Sequence, residues 1–281
     1  MRYHVAEIET PDTPAHHLGE HMSGSIFTQD IQTPDCRREW NIVQDQPDGA
    51  AGVYVKVKVF TEWLLALGLL VATAPVVLLL SILVKATSPG PAFYSQTRLG
   101  LCGRTYRILK LRTMRHNCEV DTGAVWALRD DPRTTKVGQF LRLTHLDELP
   151  QLINVLRGEM SLIGPRPERP EIAAHIQLSL PEFHLRLQVR PGVTGLAQMR
   201  LPADSTLKGV HHKLAHDLYY VENLSPALDF RIAICTILHF LAEALAFVCK
   251  SLIGSSGRAA ERGAERITFI EHEVESHIGA A

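Results

Sequence analysis

The longest apolar run of the chain covers residues 63–84, which contain no charged side chain. At a rise of about 1.5 Å per residue, a helix of this length crosses a hydrocarbon core about 30 Å thick. A buried helix of a soluble protein is the weaker alternative, because such a helix would be apolar on all sides over its whole length. We therefore predict a membrane helix over residues 53–86.

Pro75 stands in the middle of this run. Because proline lacks a backbone donor and clashes with the preceding turn, we expect a break or kink there, with the Thr73 hydroxyl bonded to a carbonyl that the proline leaves free. Lysines flank the run on both sides (Lys56, Lys58 and Lys85), so positive charge does not favour one orientation. This symmetry fits a re-entrant helix that returns to the face from which it entered, and a kinked spanning helix stays open as the alternative.

A second apolar stretch, residues 228–248, is interrupted by charged side chains. Its apolar residues recur at helical spacing, at Phe230, Ile234, Ile237, Leu238, Leu241, Leu245 and Val248. This spacing predicts an amphipathic helix that either packs on a core or lies in the membrane interface.

The two ends of the chain have a different composition. Residues 1–52 are polar, contain several prolines and show no sustained periodicity, so we expect a poorly ordered extension there. The C-terminal segment is charged and rich in small residues, which predicts a solvated tail. These patterns divide the chain into an extension over 1–52, a membrane helix over 53–86, a catalytic domain over 87–250 and a tail over 251–281.

The formal net charge of −1 argues against a general nucleic-acid binder. Positive charge is nevertheless concentrated in one acid-free segment that holds Arg98, Arg104, Arg107, Lys110, Arg112 and Arg115. Such a block is typical of a site for a phosphorylated ligand or of a surface that contacts anionic lipid headgroups. A solvated basic face is the alternative.

Two adjacent carboxylates, Asp147 and Glu148, lie shortly before Pro150. Because proline is tolerated in the first turn of a helix, we expect a helix that begins near Asp147, with Asp147 as its N-cap, and ends at Gly158. The positive end of the helix dipole would keep the pKa of Asp147 low and its side chain ionised. An ionised carboxylate can attack phosphorus or hold Mg²⁺. A plain capping pair without a catalytic role is the alternative.

Two further segments present cations. Lys110 and Arg112 alternate with apolar residues, as on one face of a half-buried strand, which makes them a candidate phosphate clamp. Pro165 and Pro167 fix the backbone on both sides of Arg166, whose side chain is then presented with little entropy left to lose. An exposed strand edge and a simple turn are the respective alternatives.

From about Lys58 to Leu238 the order of these segments resembles the bacterial sugar transferase family, the monotopic polyprenyl-phosphate phosphoglycosyl transferases. Besides the proline-interrupted apolar segment, the resemblance rests on the blocks Ser88–Tyr94, Gln96 with Arg98 and Gly100, Lys110–Met114, Asp131–Arg133, Asp147–Gln151, Asn154–Gly158, Met160–Glu168 and Pro191–Gln198. Three positions depart from the usual pattern: Leu143 stands where a second arginine is common after Arg142, Glu62 stands where an aspartate is usual, and Leu111 stands where a phenylalanine is common. The carboxylate pair is intact.

The resemblance implies a helix-rich α+β fold with a compact catalytic domain. It implies that this domain lies on the cytoplasmic face of the bacterial inner membrane and is anchored by a re-entrant helix broken at the proline. The chain looks like a small catalytic form, without the multi-span N-terminal region of the longer family members.

The resemblance also implies an enzyme that transfers a sugar 1-phosphate from a UDP-sugar to polyprenyl (undecaprenyl) phosphate and releases UMP. This reaction would initiate exopolysaccharide, capsule or other surface glycan assembly. On the family's pattern, Asp147 is the nucleophile that forms a phosphosugar intermediate, and Asp147 and Glu148 hold Mg²⁺. The residues expected to bind the substrates are Lys110, Arg112, Arg142, Pro165, Arg166 and Pro167, of which the last three would contact the nucleotide.

Two other functions are weighed against this one. The first is a membrane-anchored scaffold of a polysaccharide assembly complex without turnover, and the intact Asp147–Glu148 pair speaks against it. The second is a conventional glycosyltransferase, which would release UDP and not UMP. The sequence does not indicate the sugar, the glycan pathway or whether the chain forms a homo-oligomer.

Overall fold

A computed structural model describes residues 50–118, 131–201 and 207–253. The helices over these residues are α1 Ala50–Thr87, α2 Lys136–Leu143, α3 Gln151–Leu156, α4 Pro170–Ser179, α5 Leu196–Arg200, α6 Leu207–Glu222 and α7 Pro226–Ile253. The strands are β1 Phe93–Leu99, β2 Thr105–Leu111, β3 Ser161–Ile163 and β4 Gly192–Thr194. Short 3₁₀ segments cover Leu101–Gly103, Leu146–Glu148 and Pro181–Gln188.

The strands form two small sheets among these helices, in agreement with the expected helix-rich α+β class. Strands β1 and β2 pair antiparallel, and the Leu101–Gly103 turn connects them. Strands β3 and β4 pair in parallel at two positions. The segment after β3 turns back beside the start of β4, where the Gly192 N–H donates to the Pro165 carbonyl at 2.9 Å. A side chain at Gly192 would collide with the backbone of Gly164, so only glycine permits this close approach.

The chain divides into two compact units, Met1–Ile234 and Cys235–Ala281, and the boundary falls within α7. All predicted site residues belong to the first unit. The described part of the second unit is the C-terminal portion of α7. The predicted extension over 1–52 and the predicted tail over 251–281 lie almost entirely outside the described residues, and the predicted domain boundaries stay predictions.

Helix α1 is the one helix of the described chain that is long and apolar enough to cross a membrane, and only 11% of its apolar window is buried. A core helix of a soluble protein would be mostly buried, so this exposure favours a membrane anchor. Helix α1 continues through Pro75 over 38 residues, so the proline does not end the helix, and the kink expected there stays a prediction. The Thr73 hydroxyl donates to the Leu69 carbonyl at 2.7 Å, and not to the Val71 carbonyl that Pro75 leaves without its helical partner.

Helix α1 packs against the rest of the first unit at its middle and its end. Near its middle, Ala66 is fully buried in a cluster with Tyr106, Ile108, Leu152, Val155 and Met160. Near its end, Leu80 and Val84 pack with Leu111 and Leu141. Arg112, which directly follows β2, donates to two carbonyls just after this end of α1, those of Ser88 at 2.8 Å and Pro89 at 2.5 Å. A cation at the C-terminal end of a helix is stabilised by the helix dipole.

A group of polar side chains, here named the Lys58 cluster, joins the start of α1 to β3, α6 and α7. The cluster consists of Tyr54, Lys58, Glu62, Ser161, Tyr220 and Asp229. The Lys58 ammonium lies 2.8 Å from Glu62 Oε1 and 2.6 Å from Asp229 Oδ2. Tyr54 and Tyr220 donate to Asp229, and Ser161 donates to Glu62, so each charged group in the cluster has partners.

The amphipathic helix predicted over residues 228–248 is confirmed as part of α7. In the first unit, Phe230 and Ile234 on its predicted apolar face are exposed, whereas Asp229 and Ile232 are buried. The face that the sequence marks as apolar therefore points away from the core, and this arrangement favours the interfacial alternative over core packing.

Candidate active site

The carboxylate pair lies in a 3₁₀ turn and not at the start of an α-helix. Asp147 and Glu148 belong to the Leu146–Glu148 turn, which follows His145 in the left-handed region at φ 53°. Helix α3 begins only at Gln151, after Pro150. The predicted N-cap role of Asp147 is therefore wrong. Successive i→i+3 bonds, Glu148 N–H to His145 at 3.2 Å and Leu149 N–H to Leu146 at 3.4 Å, satisfy the backbone before α3 starts.

The end of α3 agrees with the sequence expectation. Gly158 follows the last turn with a positive φ of 74°, as expected for a glycine that terminates a helix. The buried residues of α3 are Gln151, Leu152, Asn154 and Val155. Among them, the polar Asn154 is fully buried.

Glu148 is held by two cations from different elements. Its Oε1 accepts from the Lys110 ammonium at 2.7 Å and from the Arg166 guanidinium at 2.7 Å. Burial alone would raise the pKa of Glu148, but Arg166 and Lys110 outweigh burial and hold that pKa well below its usual range. Burial in turn lowers the pKa of Lys110, although Glu148 opposes the change.

Asp147 differs from its neighbour, because its carboxylate makes no hydrogen bond or ion pair with the residues that the structure describes. The residue is only 7% exposed. Burial raises the pKa of Asp147 above its ordinary value, although Lys110 opposes the change. The helix-dipole expectation of a low pKa is thus wrong, since burial decides the direction and no helix starts at Asp147.

Strand β2 presents Lys110, and Asn154 of α3 holds this part of the strand in place. The Asn154 amide accepts from the Leu109 N–H at 3.0 Å and donates to the Arg107 carbonyl at 2.8 Å. These bonds tie the outer edge of β2 to the helix that follows the carboxylates. They therefore set the spacing between Lys110 and Glu148.

The loop after β3 presents Arg166. The backbone just before Arg166 is tied to β4, because the Gly164 N–H donates to Thr194 and the Gly192 N–H donates to Pro165, both at 2.9 Å. The Arg166 carbonyl accepts from Arg186 at 2.7 Å, and the same guanidinium forms a buried ion pair with Asp217, also at 2.7 Å.

Arg186 and Asp217 belong to the support of the loop, and the sequence reasoning missed them. Their segments carry no local pattern that connects them to Arg166. Only the fold brings the 3₁₀ segment Pro181–Gln188 and α6 together behind the loop.

The other two predicted cations, Arg142 and Arg112, do not bind Glu148 and have partners elsewhere. Arg142 donates to the hydroxyls of Thr113 at 3.0 Å and Thr134 at 3.3 Å, and it is close enough to Asp147 to pull the pKa of that carboxyl down. The hydrogen bonds of Arg112 go to Ser88 and Pro89 at the end of α1, so the structure does not bring Arg112 to Glu148 beside Lys110.

The site contains a carboxylate that is free to react and cations that can neutralise a phosphorylated ligand. This combination suits phosphoryl transfer through attack of Asp147 on phosphorus. No group of three or more His, Cys, Asp or Glu ligands occurs in the described part of the chain. Mg²⁺ commonly takes one or two protein carboxylates and completes its coordination with water and substrate phosphates, so the free oxygens of Asp147 next to Glu148 fit such an ion.

Comparison with known proteins identifies the class. The model of the bacterial sugar transferase family matches residues 53–243, a range that includes α1 from Val53 onward, both sheets and every site residue described above. The chain therefore belongs to the bacterial sugar transferase family.

Individual relatives are similar over different lengths. The chain is 44% identical over 166 residues to the UDP-glucose:undecaprenyl-phosphate glucose-1-phosphate transferase of Caulobacter vibrioides, which covers 58% of this chain and 62% of that protein. It is 41% identical over 189 residues to the exopolysaccharide production protein PSS of Rhizobium leguminosarum bv. phaseoli. This match covers 65% of this chain and 94% of that protein.

A third relative has a name with a different sugar. The chain is 38% identical over 238 residues to the UDP-N-acetylgalactosamine-undecaprenyl-phosphate N-acetylgalactosaminephosphotransferase of Aeromonas hydrophila, which covers 84% of this chain and 51% of that protein. The chain thus spans between half and two thirds of the Caulobacter and Aeromonas proteins.

Proposed function

We propose that this chain transfers a sugar 1-phosphate from a UDP-sugar to undecaprenyl phosphate and releases UMP. The observation that carries this proposal is the contrast between the two carboxylates. Glu148 is held by Lys110 and Arg166, whereas the buried Asp147 beside it has no partner among the described residues. The names of the relatives, which include undecaprenyl-phosphate sugar phosphotransferases, support the same reaction.

The reaction proceeds in two displacements at one phosphorus atom. In the first, a carboxylate oxygen of Asp147 attacks the sugar-bearing phosphorus of the donor, the bond from this phosphorus to the bridging oxygen breaks, and UMP leaves with the bridging oxygen. In the second, a phosphate oxygen of undecaprenyl phosphate attacks the same phosphorus and displaces the Asp147 carboxylate. The product is the polyprenyl-diphosphate sugar, and a covalent intermediate lets a water-soluble donor and a lipid acceptor use one site in turn.

The cations around the pair support the charge that develops in both steps. Lys110 and Arg166 keep Glu148 ionised and place positive charge beside the reacting phosphate. Arg142 adds positive charge on the Asp147 side. Asp147 and Glu148 would hold Mg²⁺, which neutralises the diphosphate as a Lewis acid when it is bound.

The membrane arrangement that we propose is monotopic, with α1 re-entrant through the kink predicted at Pro75 and the site on the cytoplasmic face of the inner membrane. Two contacts of α1 support it, because the Lys58 cluster near its start and Arg112 at its end both tie it to the unit that holds the site. A folded unit lies on one side of a bilayer, so a helix whose two ends contact that unit returns to the same side. Undecaprenyl phosphate would then reach Asp147 from the headgroup plane.

Cysteine accessibility tests this topology. Single cysteines in place of Val53 and Thr87, in a background without native cysteines, should both react with a membrane-impermeant reagent from the cytoplasmic side only. A residue that reacts from the opposite side would identify α1 as a kinked spanning helix.

The test of the reaction is nucleotide release from membranes that contain the protein. UDP-sugars are supplied one at a time, with and without undecaprenyl phosphate and Mg²⁺. We expect UMP to be released from one donor or a small set of donors, and only when acceptor and metal are both present. The donor that gives UMP identifies the sugar. Release of UDP would establish a conventional glycosyltransferase. No nucleotide from any donor, with folded protein in the membrane, would support the scaffold alternative.

A further inference from the structure

A small open cavity lies beside the carboxylate pair. It is lined by Arg98, Ile108, Lys110, Gln151, Arg166 and Pro167. Lys110 and Arg166 are the cations that hold Glu148, so the cavity adjoins the site directly. Arg98 comes from β1, which adds a third cation from a third segment of the chain.

Gln151 contributes an unpartnered donor to this cavity. Its side chain is only 2% exposed, and its Nε2 is buried without a hydrogen-bond partner. Among the described residues, neither end of its amide forms a hydrogen bond. A buried donor without a partner costs free energy, and such a group in a folded protein calls for an explanation. A ligand in the cavity provides one, because it would accept the free hydrogens.

Arg98 shows the same feature in a charged side chain. Its terminal nitrogens donate to Gln96 Oε1 at 2.7 Å, to the Pro167 carbonyl at 3.3 Å and to Glu168 Oε1 at 3.5 Å, whereas its Nε is buried without a partner. Burial lowers the pKa of Arg98, and repulsion from Arg166 and Arg169 adds to this effect against the opposing influence of Glu168. An anion in the cavity would accept the Nε hydrogen and relieve the repulsion among the cations.

We propose that Gln151 and Arg98 complete, with Lys110 and Arg166, a phosphate subsite that holds the donor phosphate which leaves as UMP. This inference rests on the proposed function for the identity of the donor, and it adds two binding residues to that site. The Gln151 amide and the Arg98 Nε–H donate to non-bridging oxygens of this phosphate, while Asp147 attacks the other phosphorus. Undecaprenyl phosphate offers the same chemistry, so the experiment separates the two sources.

The test is equilibrium binding to the purified full chain in nanodiscs, which needs no turnover. The probes are UMP and, separately, a short-chain polyprenyl phosphate. Gln151→Met removes the donor at similar volume and should weaken UMP binding about tenfold, as expected for one hydrogen bond to a charged group. The melting temperature should stay the same or rise, because the variant loses an unpartnered buried donor.

A second variant and two matched controls keep the result interpretable. Arg98→Lys keeps the charge but lacks the Nε–H, and it should also weaken UMP binding. Gln139→Met on the exposed surface of α2 and Arg107→Lys at an exposed position of β2 should leave UMP binding unchanged.

Each outcome decides the proposal. Weaker binding of polyprenyl phosphate with unchanged UMP binding would assign the cavity to the acceptor and overturn the donor assignment. Unchanged binding of both probes, or a lower melting temperature of the Gln151→Met variant with unchanged binding, would overturn the subsite. If the protein binds UMP through Gln151 but releases no nucleotide from any UDP-sugar, the subsite stands and the proposed reaction fails.

Discussion

Two groups of buried charges in this protein are built in opposite ways. In the Lys58 cluster, Lys58 lies between Glu62 and Asp229, and tyrosine and serine hydroxyls donate to the two acids. At the carboxylate pair, Glu148 is fully held, but Asp147 has no partner among the described residues and neighbouring donors are left free. A buried polar group whose hydrogen bonds and ion pairs are all formed is typical of a structural network. Buried polar groups without partners are typical of a site that binds a ligand.

The comparison predicts that the removal of a charge affects the stability of the fold differently at the two groups. Loss of a charge from the Lys58 cluster leaves its partners buried and unpaired, which destabilises the fold. Loss of the Asp147 charge removes a carboxylate whose burial is itself unfavourable, which costs activity and not stability.

The largest expected effect is that of Asp147→Asn on turnover. Without the nucleophile, UMP release should fall by about a thousandfold or more, equivalent to about 4 kcal/mol. The melting temperature should be equal to or above that of the unchanged protein, because the neutral amide avoids the burial of a charge. Activity near that of the unchanged protein would exclude Asp147 as the nucleophile.

The next effect is that of Lys58→Met on stability. Two buried carboxylates would lose their shared cation, which should cost about 3 kcal/mol and lower the melting temperature by roughly 6 to 12 °C. The rate per folded molecule should be retained, because the Lys58 cluster does not contact the carboxylate pair. Lys56→Met, at an exposed position two residues earlier in α1, is the matched control. Equal melting temperatures for the two variants would show that the cluster is not a structural network.

A smaller effect is expected from Arg186→Lys, which affects the support of the Arg166 loop. A lysine keeps a positive charge for Asp217 but lacks the planar guanidinium that lies 4.8 Å above the Phe183 ring and donates to the Arg166 carbonyl. The KM for the UDP-sugar should rise about tenfold, as for the loss of about 1.4 kcal/mol, with a small change in kcat. Arg200→Lys on the exposed end of α5 is the control. An equal KM in both variants would show that Arg186 does not position the loop.

The smallest effect concerns pH. Because burial raises the pKa of Asp147, activity should rise with pH through a value above the ordinary aspartate pKa of about 3.9. The stability contribution has the opposite sign: a raised folded-state pKa means that stability is highest below the unfolded pKa and falls as pH rises through the folded one. Parallel pH profiles of kcat/KM and melting temperature check this, and Asp147→Asn should remove that component of the stability profile. An acid limb at or below about 3.9 would contradict it.

Local patterns in the sequence were sufficient for several elements. The apolar run predicted α1, the helical spacing of apolar residues predicted α7, and Gly158 marked the end of α3. Lys110 and Arg166, which were predicted as phosphate ligands from their local settings, lie together at Glu148. The start of α3 was predicted wrongly, because the left-handed conformation of His145 and the 3₁₀ bonds after it are not visible in a pattern of residue types.

The chain's sequence by itself determined which segments are apolar, where α3 ends, and which side chains are available for phosphate chemistry, because these properties depend on neighbours a few residues apart. Only the tertiary structure decided which charges meet. Lys58 and Asp229 are 171 residues apart in sequence, and Arg112 binds the end of α1 and not the carboxylate pair. The environment of Asp147, buried and without a partner among the described residues, likewise follows from packing, because burial and pairing are properties of three-dimensional neighbours.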